Sequence, residues 1–411
     1  MSHFDVVVVG AGPAGAVTAL CLARAGARVA LVDRRTFPRD KACGDLVGPR
    51  GVRLLDDLQI PIPGARNVGD MIFVAPNGMH ARLPALPGLD YPDHALAISR
   101  QVLDAALVDG ATGSGAELVQ DRVTGLAGGH VAPTGVRLAG GGELRAEVVV
   151  GADGAVSRIA DAAGLVDAGR VLWGFAMRSY VDTPADLPYI VLWEPEPWRV
   201  FPGYGWVFPT ADSRANVGLG LAVGADRAGA PRAGAQFGQF LRYLAGLSLV
   251  PDTRSPARLG GWLKMGAVGT TPARGNVLLV GDAAGLINPL QGEGIAQAMA
   301  SGRAAADAII TAGPSGAAEH YRRALHAMTG HHRINAPVQA GMVEHPRAVS
   351  IASRLLTAPL IRTGVAGAWS LYWNDLVPGA APSRHRRLAG GVTRAVSATT
   401  RRANSRCSHP E

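Results

Sequence analysis

The chain has 411 residues, of which 48% are hydrophobic and 18% charged. This length exceeds a usual single core and predicts two domains, and the composition excludes a disordered chain. Much of the formal net charge of +8 comes from seven arginines near the C-terminus: Arg384, Arg386, Arg387, Arg394, Arg401, Arg402 and Arg406. Because no basic patch interleaved with aromatic residues precedes this tail, no nucleic-acid partner is expected.

Cysteine usage is low. Cys21, Cys43 and Cys407 form no C-x-x-C pair, so neither a disulfide framework nor a metal site is predicted. The first predicted strand begins within a few residues of the N-terminus, and no uninterrupted apolar stretch is long enough to cross a bilayer. We therefore expect no signal peptide, a cytoplasmic location, and at most a peripheral contact with a membrane.

A glycine-rich turn follows the first predicted strand. Asp5–Val9 is rich in β-branched residues, as a buried parallel strand requires, and Gly10, Gly12 and Gly15 then match G-x-G-x-x-G. The glycines allow a tight turn and a close approach of the backbone to a pyrophosphate at the positive end of the next helix. The turn therefore predicts a dinucleotide site.

The following segment completes this unit. Ala14–Ala25 predicts a helix that ends at Gly26, and Arg28–Val32 predicts a second strand. Asp33 then lies about twenty residues beyond the glycines, where a carboxylate accepts hydrogen bonds from ribose hydroxyls. Strand, turn, helix, strand and acid together predict a Rossmann-like α/β domain.

A second glycine-rich turn occurs far along the chain. The predicted strand Asn276–Val280 leads into Asp282, whose carboxylate can accept hydrogen bonds from a polyol such as a ribityl chain. Gly292 and Gly294 then precede a predicted helix, Ile295–Ile310, whose N-terminus can face a flavin ring or a pyrophosphate. An Asp N-cap on an ordinary helix is the alternative. The two turns together predict one FAD held at both ends.

These motifs resemble those of the FAD-dependent geranylgeranyl reductases, within the p-hydroxybenzoate-hydroxylase-like flavoproteins. The two glycine turns and GADG at Gly151–Gly154, after the predicted strand Glu147–Val150, are shared by the whole flavoprotein group. The segments more specific to the reductases are PRDKACGD at Pro38–Asp45, PGYGWVFP at Pro202–Pro209 with the following Asn216–Gly218, and NPLQGEGI at Asn288–Ile295. The resemblance covers residues from about 4 to about 380.

The resemblance implies an α/β fold with a three-layer, Rossmann-like FAD-binding domain, an interleaved β-sheet substrate domain and a C-terminal helical segment. The FAD-binding domain is predicted at 1–65, 98–165 and 271–330, the substrate domain at 66–97 and 166–270, the helical segment at 331–380 and a basic, disordered tail at 381–411. The tail is typical of a solvated segment and also of a contact with anionic lipid headgroups.

Aromatic residues concentrate in the predicted substrate domain, where five of the seven tryptophans lie between Trp173 and Trp262. Tyr204, Trp206 and Phe208 alternate along one strand and therefore share a face. That face is equally typical of a pocket for a long apolar ligand and of plain core.

Two further residues have open roles. The resemblance implies that Cys43 lies near the isoalloxazine, as a proton source or as a shaping residue, although a buried thiol is normally inert. Arg100 either contacts the cofactor or pairs with Asp104 at helical i, i+4 spacing. Residues predicted to bind FAD are Gly10, Gly12, Pro13, Ala14, Gly15, Asp33, Arg34, Cys43, Gly44, Asp45, Arg100, Asp153, Gly281, Asp282, Pro289, Gly292, Gly294 and Ile295, with Cys43 also catalytic and Tyr204, Trp206 and Phe208 lining the substrate pocket.

We expect an FAD-dependent oxidoreductase that reduces carbon–carbon double bonds of an isoprenoid or another long apolar substrate, with NADPH as electron donor. The alternative is a flavin monooxygenase acting on a terpenoid or aromatic compound, because one fold serves both chemistries. A flavin halogenase also resembles Tyr204–Pro209, but it needs a lysine between flavin and substrate, and the chain has only Lys41 and Lys264. The intact cofactor motifs argue against a further alternative, a non-enzymatic protein that binds and escorts prenyl groups.

Overall fold

The computed structural model describes residues 3–85, 91–130, 132–193, 203–223, 233–251, 257–289, 291–330, 336 and 351. Pro202 and Leu290 of the specific motifs lie outside the described residues, as do the predicted helical segment at 331–380, apart from Ala336 and Ile351, and the tail at 381–411. No helix in the described part of the chain is both long enough and apolar enough to span a membrane.

The helices are α1 (Pro13–Arg24), α2 (Pro49–Asp57), α3 (Arg100–Gly113), α4 (Arg158–Ala162), α5 (Ala233–Gly246) and α6 (Ile295–Met328). The strands are β1 (His3–Val9), β2 (Val29–Asp33), β3 (Leu46–Val47), β4 (Arg66–Val68), β5 (Met71–Val74), β6 (His80–Leu83), β7 (Ala95–Ala97), β8 (Glu117–Gln120), β9 (Val123–Gly128), β10 (Pro133–Leu138), β11 (Glu143–Gly151), β12 (Leu172–Val181), β13 (Tyr189–Val191), β14 (Gly203–Pro209), β15 (Ala215–Val223), β16 (Leu259–Met265), β17 (Ala273–Arg274) and β18 (Val277–Leu279).

The first sheet has a parallel centre in the order β18, β11, β1, β2 and β8. Val6, Val7 and Val8 of the central strand are at most 1% exposed, as expected for a parallel strand covered on both faces. β17 adds an antiparallel edge to β18, while β10 and β9 extend the sheet as an antiparallel pair from β11.

The helices α1, α3 and α6 pack together on this sheet, and α4 packs against β9. The contact between α1 and α6 is close, because a Cβ at Gly302 would lie 2.3 Å from the main-chain oxygen of Ala14. The Thr18 hydroxyl also donates hydrogen bonds to the carbonyls of Ala14 and Gly302. The predicted three-layer, Rossmann-like fold is confirmed.

A second sheet has seven strands in the order β16, β12, β15, β14, β13, β5 and β6, all antiparallel except the β13–β5 pair. One face packs on α5 through Phe237 and Phe240, which are fully buried. A Cβ at Gly205 of β14 would lie only 2.0 Å from the Phe240 ring. Only glycine therefore allows α5 to approach this strand so closely.

The opposite face of the second sheet carries Ile190, Trp206 and Phe208, which pack with residues of a small sheet in the order β3, β7 and β4. Strand β3 directly follows the PRDKACGD loop, so this face meets the loop that connects β2 to β3. The predicted interleaved β-sheet unit is confirmed, whereas its boundaries stay a prediction.

Several predicted elements begin or end elsewhere in the structure. Helix α6 continues to Met328 rather than Ile310, because its alanine-rich sequence persists past a kink at Gly313 (φ 64°) and Pro314. Helix α3, which contains the i, i+4 pair of Arg100 and Asp104, ends at Gly113, and Ser99 is its N-cap. Strand β11 starts at Glu143 rather than Glu147, because it also pairs with β10. Strand β1 begins at His3, two residues before its predicted start at Asp5, and the other predicted elements differ by one residue at each end.

Candidate active site

The first glycine turn leaves β1 and enters α1. Gly10 has φ 102°, and a Cβ there would lie 2.4 Å from the Ala152 carbonyl oxygen, while a Cβ at Gly15 would lie 1.8 Å from the Gly10 oxygen. Helix α1 begins with Pro13 at its first position, and its N-cap, Gly12, makes no side-chain capping bond. The turn is therefore a cradle of main-chain N–H groups that tolerates no side chain at these two glycines and suits an anion.

Asp33 lies at the end of β2 beside this turn. One carboxylate oxygen accepts the main-chain N–H of Ala11 at 2.8 Å, and the other accepts that of Arg35 at 2.9 Å. Each oxygen keeps a second lone pair, so Asp33 can hold the turn and still accept from a ribose. Arg34 is exposed next to it, and its predicted contact with FAD stays a prediction.

The second glycine turn lies against the first. Gly281 begins a short 3₁₀ segment, and a Cβ there would lie 3.0 Å from Ala14 Cβ at the N-terminus of α1. The N–H of Gly281 donates to the Ser301 hydroxyl at 2.9 Å, which ties the turn to α6. Two sequences more than two hundred residues apart thus meet at one place, as the hypothesis of a single cofactor requires.

Asp282 is partly buried beside this junction, with 15% of its side chain exposed, and its Oδ2 lies 3.4 Å from Lys41 Nζ. It makes no side-chain capping bond, and Val280 is the N-cap of the 3₁₀ segment. The alternative of an ordinary Asp N-cap is therefore wrong. Pro289 is buried, Gly292 is exposed with φ 66°, and Gly294 is the N-cap of α6 immediately before Ile295.

Arg39 is a site residue that the sequence analysis missed. Its Nη1 lies 2.9 Å from Asp104 Oδ2, and its Nη2 lies 3.7 Å from the position of a Cβ on Gly12. Asp104 also receives two hydrogen bonds of 2.8 Å from Arg100, so its single negative charge faces two cations. The net positive charge of this cluster lies beside the first glycine turn, where it would stabilise the negative charge of a pyrophosphate.

Arg100 pairs with Asp104, as one of the two alternatives predicts, and it lies beside the Cys43 thiol, while a direct contact with FAD stays a prediction. Burial raises the pKa of Cys43 above its ordinary value, although Arg100 acts in the opposite direction. Cys43 therefore stays a protonated thiol near neutral pH. Its main-chain oxygen accepts a hydrogen bond of 2.9 Å from Asn216 on β15.

Gly44 brings this turn against the aromatic face of β14. A Cβ there would lie 3.0 Å from the Phe208 ring and 3.4 Å from Trp206 Nε1. Trp206 and Phe208 are 5% and 9% exposed, and their rings stack with centroids 6.1 Å apart and planes inclined by 29°, so most of their surface is core. Tyr204 is partly buried and donates its hydroxyl to the Gln291 carbonyl. The predicted common face is confirmed, and its role in lining a pocket stays a prediction.

Asp45 is the most constrained residue of the loop. It is 2% exposed and has φ 57°, a left-handed conformation that Asp tolerates better than most residues. Its Oδ2 accepts from Tyr180 at 2.5 Å and from Asn216 at 2.9 Å, while its buried Oδ1 has no hydrogen-bond partner among the described residues. Burial raises the pKa of Asp45 to about 6, against the lowering effects of Tyr180, Arg178, Asn216 and Arg100.

The side chain of Asp153 stabilises the local fold at the start of α4. Its carboxylate accepts hydrogen bonds from the Ser157 hydroxyl at 2.5 Å and from the N–H groups of Arg158 and Ile159 at the start of α4. The preceding Ala152 forms the wall against Gly10. Asp153 thus holds the shape of the first glycine turn, and a direct contact with FAD stays a prediction.

The residues present fit FAD. The glycine cradle and Arg39 suit the pyrophosphate, the carboxylate of Asp33 suits a ribose, and that of Asp282 suits a ribityl chain. The turn at Cys43 and Gly44 separates this region from the aromatic face of the second sheet.

Comparison with known proteins agrees with this site. The family described as FAD binding domain matches residues 3–320. A menaquinone reductase of Mycolicibacterium smegmatis is 35% identical over 349 residues, which cover 78% of this chain and 81% of that protein. A digeranylgeranylglycerophospholipid reductase of Methanopyrus kandleri is 32% identical over 327 residues, which cover 75% of this chain and 78% of that protein.

A solved structure of a geranylgeranyl bacteriochlorophyll reductase-like protein from Thermoplasma acidophilum has a TM-score of 0.69 at 20% identity, covering 94% of this chain and 96% of that one. This structural likeness concerns the fold alone. The two reductases and the FAD-binding family show which family the chain belongs to. The chain belongs to the geranylgeranyl reductase family of FAD-dependent oxidoreductases.

Proposed function

We propose that this enzyme reduces carbon–carbon double bonds in the isoprenoid chain of a quinone or another lipid. The observation that carries the proposal is the contact of Gly44 with Phe208 and Trp206, which joins the Cys43 turn to an apolar face beside the cofactor motifs. The names of the two relatives, a menaquinone reductase and a digeranylgeranylglycerophospholipid reductase, support the substrate class.

Reduced FAD, when bound, supplies a hydride. An isolated alkene accepts a hydride poorly, so the protein must provide a proton at the other carbon and exclude water around the chain. Trp206 and Phe208, whose rings are mostly packed in the core, would form the apolar boundary of this water-free region beside the Cys43 turn. Cys43 holds a proton at its sulfur close to that boundary, because its raised pKa keeps the thiol neutral.

The proposed electron donor is NADPH or another reductant, which would regenerate reduced FAD. Only one strand, turn, helix, strand and acid unit of the dinucleotide type occurs in the sequence. NADPH therefore binds transiently at the flavin rather than in a domain of its own.

The test is an anaerobic incubation of the FAD-loaded enzyme with a menaquinone carrying an unsaturated polyprenyl chain and dithionite, followed by mass spectrometry of the product. The expected product gains two hydrogens for each reduced bond, without oxygen. Asp282→Ala, which removes the proposed ribityl contact, should bind little flavin and form no product.

A product that appears only in air and contains one added oxygen atom would instead identify a monooxygenase. Retention of stoichiometric FAD by the Asp282→Ala variant would contradict the proposed cofactor geometry even if the substrate were correct. NADPH then replaces dithionite in a second incubation, where failure to reduce the flavin would exclude it as the donor.

A further inference from the structure

Lys264 is a buried cation that the proposed reaction does not use. It lies in β16, opposite Trp173 of β12, and only 1% of its surface is exposed. Its ammonium donates a hydrogen bond of 2.9 Å to the main-chain oxygen of Ala283. Burying an ammonium group is costly unless hydrogen bonds compensate for the lost water. This cost indicates a role for the ammonium that an apolar side chain could not fill.

The hydrogen bond joins the second sheet to the second glycine turn. Ala283 follows Asp282 within the 3₁₀ segment Gly281–Ala284, whereas Lys264 belongs to the edge strand of the second sheet. The methylene stem of Lys264 lies along Gly285, where a Cβ would be 3.3 Å from Cδ and 3.4 Å from Cγ of the lysine. The side chain thus packs against the turn along its length and binds it at its end.

Two main-chain hydrogen bonds continue this contact. The N–H of Ala267 donates to the Gly285 oxygen at 2.7 Å, and that of Gly266 donates to the Ile287 oxygen at 3.0 Å. Three alternate carbonyl groups in and after the turn are therefore bound by β16 and the residues that follow it. Of these three bonds, the one from Lys264 alone comes from a side chain, so its substitution leaves the other two in place.

The turn needs such a bond because a glycine stands at each of its ends. Gly281 and Gly285 have φ 56° and 75°, a left-handed conformation that glycine adopts without strain and leaves as easily. The Ser301 hydroxyl accepts the N–H of Gly281 at the first end. Lys264 binds a carbonyl between the two glycines, next to Asp282. Without that bond, the peptide units between the glycines have more freedom to rotate, and Asp282 rotates with them.

We propose that Lys264 is a positioning residue for FAD. It acts through the Ala283 carbonyl and holds the carboxylate of Asp282 where that group binds the ribityl chain. The Asp282 Oδ1 lies 3.7 Å from the position of a Cβ on Gly294, so a rotation of the turn moves the carboxylate relative to the start of α6. The inference rests on the proposed contact between Asp282 and FAD and is independent of the substrate.

The first experiment measures FAD affinity in Lys264→Met. Methionine keeps the packing along Gly285, and exchange of a buried charge for an apolar side chain of similar volume often leaves stability unchanged. FAD binding should nevertheless weaken by roughly tenfold to a hundredfold, because a charge-assisted hydrogen bond that orders the binding turn is lost. Flavin fluorescence titration of the apoprotein gives the dissociation constant, and urea unfolding of the same protein gives its stability.

The matched control is Ser179→Ala. Ser179 lies toward the end of β12 that is far from Trp173, is fully buried, and donates its hydroxyl to the Ala257 carbonyl at 2.6 Å. The variant therefore also loses a buried side-chain bond to a carbonyl of the second sheet region, but away from the second glycine turn. It should keep the FAD dissociation constant of the wild type.

A double-mutant cycle with Asp282→Asn separates positioning from general damage. Because Lys264 acts through Asp282, the loss in affinity caused by Lys264→Met should shrink to roughly threefold or less in the Asp282→Asn background. A general loosening of the fold would instead multiply the two losses. The same titration of the four apoproteins measures the cycle.

A further measurement follows Lys264 in the wild-type protein and needs no variant. The chain contains only Lys41 and Lys264, so labelling lysine Cε with ¹³C gives two side-chain NMR signals. A soluble paramagnetic agent broadens the signal of Lys41, whose side chain is 43% exposed, and spares that of buried Lys264. We expect the Lys264 signal to shift when FAD binds, because the turn that its ammonium holds becomes part of the cofactor site.

The proposal is overturned by a Lys264→Met protein with the FAD affinity of the wild type, by an equal loss in Ser179→Ala, by losses that multiply in the cycle, or by a Lys264 signal that FAD leaves unchanged. The proposed contact of Asp282 survives these results as long as Asp282→Asn alone weakens FAD binding. An Asp282→Asn protein that binds FAD as the wild type does refutes that contact and, with it, the positioning role of Lys264.

Discussion

Arg39 and Asp104 form an ion pair of 2.9 Å that joins the loop after β2 to helix α3. Asp104 is fully buried, and Arg100 also binds it. Removing one partner of a buried pair leaves an uncompensated charge and typically costs about 3–5 kcal/mol. We therefore expect Asp104→Ala to lower the free energy of unfolding by about that amount.

Denaturant unfolding measures this effect. The matched control is Asp109→Ala on the same helix, where the side chain is exposed and the loss should stay below about 0.5 kcal/mol. Equal losses in the two variants would mean that the buried pair contributes nothing beyond helix propensity.

Arg39 should contribute directly to FAD affinity, because Asp104 holds its guanidinium beside Gly12. A hydrogen bond to a charged group is worth about 1.5–3 kcal/mol. Arg39→Ala should therefore weaken FAD binding by roughly tenfold to a hundredfold. Flavin fluorescence titration measures the dissociation constant, and Arg35→Ala, an exposed arginine four residues earlier, serves as the control. An equal loss in both variants would indicate a general charge effect.

The first glycine turn should tolerate no added methyl group. A Cβ at Gly15 would overlap the Gly10 oxygen at 1.8 Å, so the start of α1 must shift in Gly15→Ala. We expect this variant to purify without flavin. Gly113→Ala at the end of α3 meets no atom within 4 Å and should be neutral or gain up to about 1 kcal/mol. Absorbance of bound flavin distinguishes the variants, and a yellow Gly15→Ala protein would show that the turn can relax.

The parts of this fold that the sequence predicts are local. The β-branched run before Gly10, the glycine spacing and Asp33 lie within one continuous unit, so each supports the others. Helix α6 was predicted too short because Gly313 and Pro314 normally end a helix, whereas here a second helical segment resumes directly after the kink.

The site was less predictable where it depends on contacts between distant residues. Arg39 meets Asp104 only after the chain has folded, and nothing local distinguishes Arg39 from Arg34 or Arg35 in the same basic stretch. Because Asp104 already has Arg100 as a partner at i, i+4 spacing, no unmatched charge in the sequence identifies the pair with Arg39. Asp45 was predicted in a cofactor role, but its contacts with Tyr180 and Asn216 come from two strands of the second sheet.

Asp45 should make the stability of the protein depend on pH. Its pKa rises from 3.8 in the unfolded chain to about 6 in the folded protein. Between these values the folded state binds more protons than the unfolded state, so the free energy of unfolding decreases as the pH rises through this window. A shift of about two units corresponds to about 3 kcal/mol.

In Asp45→Asn the amide stays neutral at every pH, so the variant does not lose unfolding free energy through ionisation of a buried group. Relative to the wild type, the variant should gain up to about 3 kcal/mol in unfolding free energy as the pH rises through that window. Urea unfolding at a pH below 3.8 and at one well above 6 measures the change, and the control Asp56→Asn, at an exposed position of α2, should show little of it. A constant difference between Asp45→Asn and the wild type at both pH values would mean that the pKa of Asp45 is the same in the folded and unfolded states.

Substitution of Cys43 should separate proton donation from packing. A serine hydroxyl can still release a proton, whereas an alanine methyl group cannot. Cys43→Ala should therefore slow single-turnover reduction by roughly a hundredfold or more, and Cys43→Ser should retain much more of the rate. Both variants lose the sulfur that packs near Arg100, so a purely structural role predicts equal losses in the two. Stopped-flow spectroscopy of reduced-flavin oxidation by the substrate, with FAD affinity measured in parallel, decides between the two roles of Cys43.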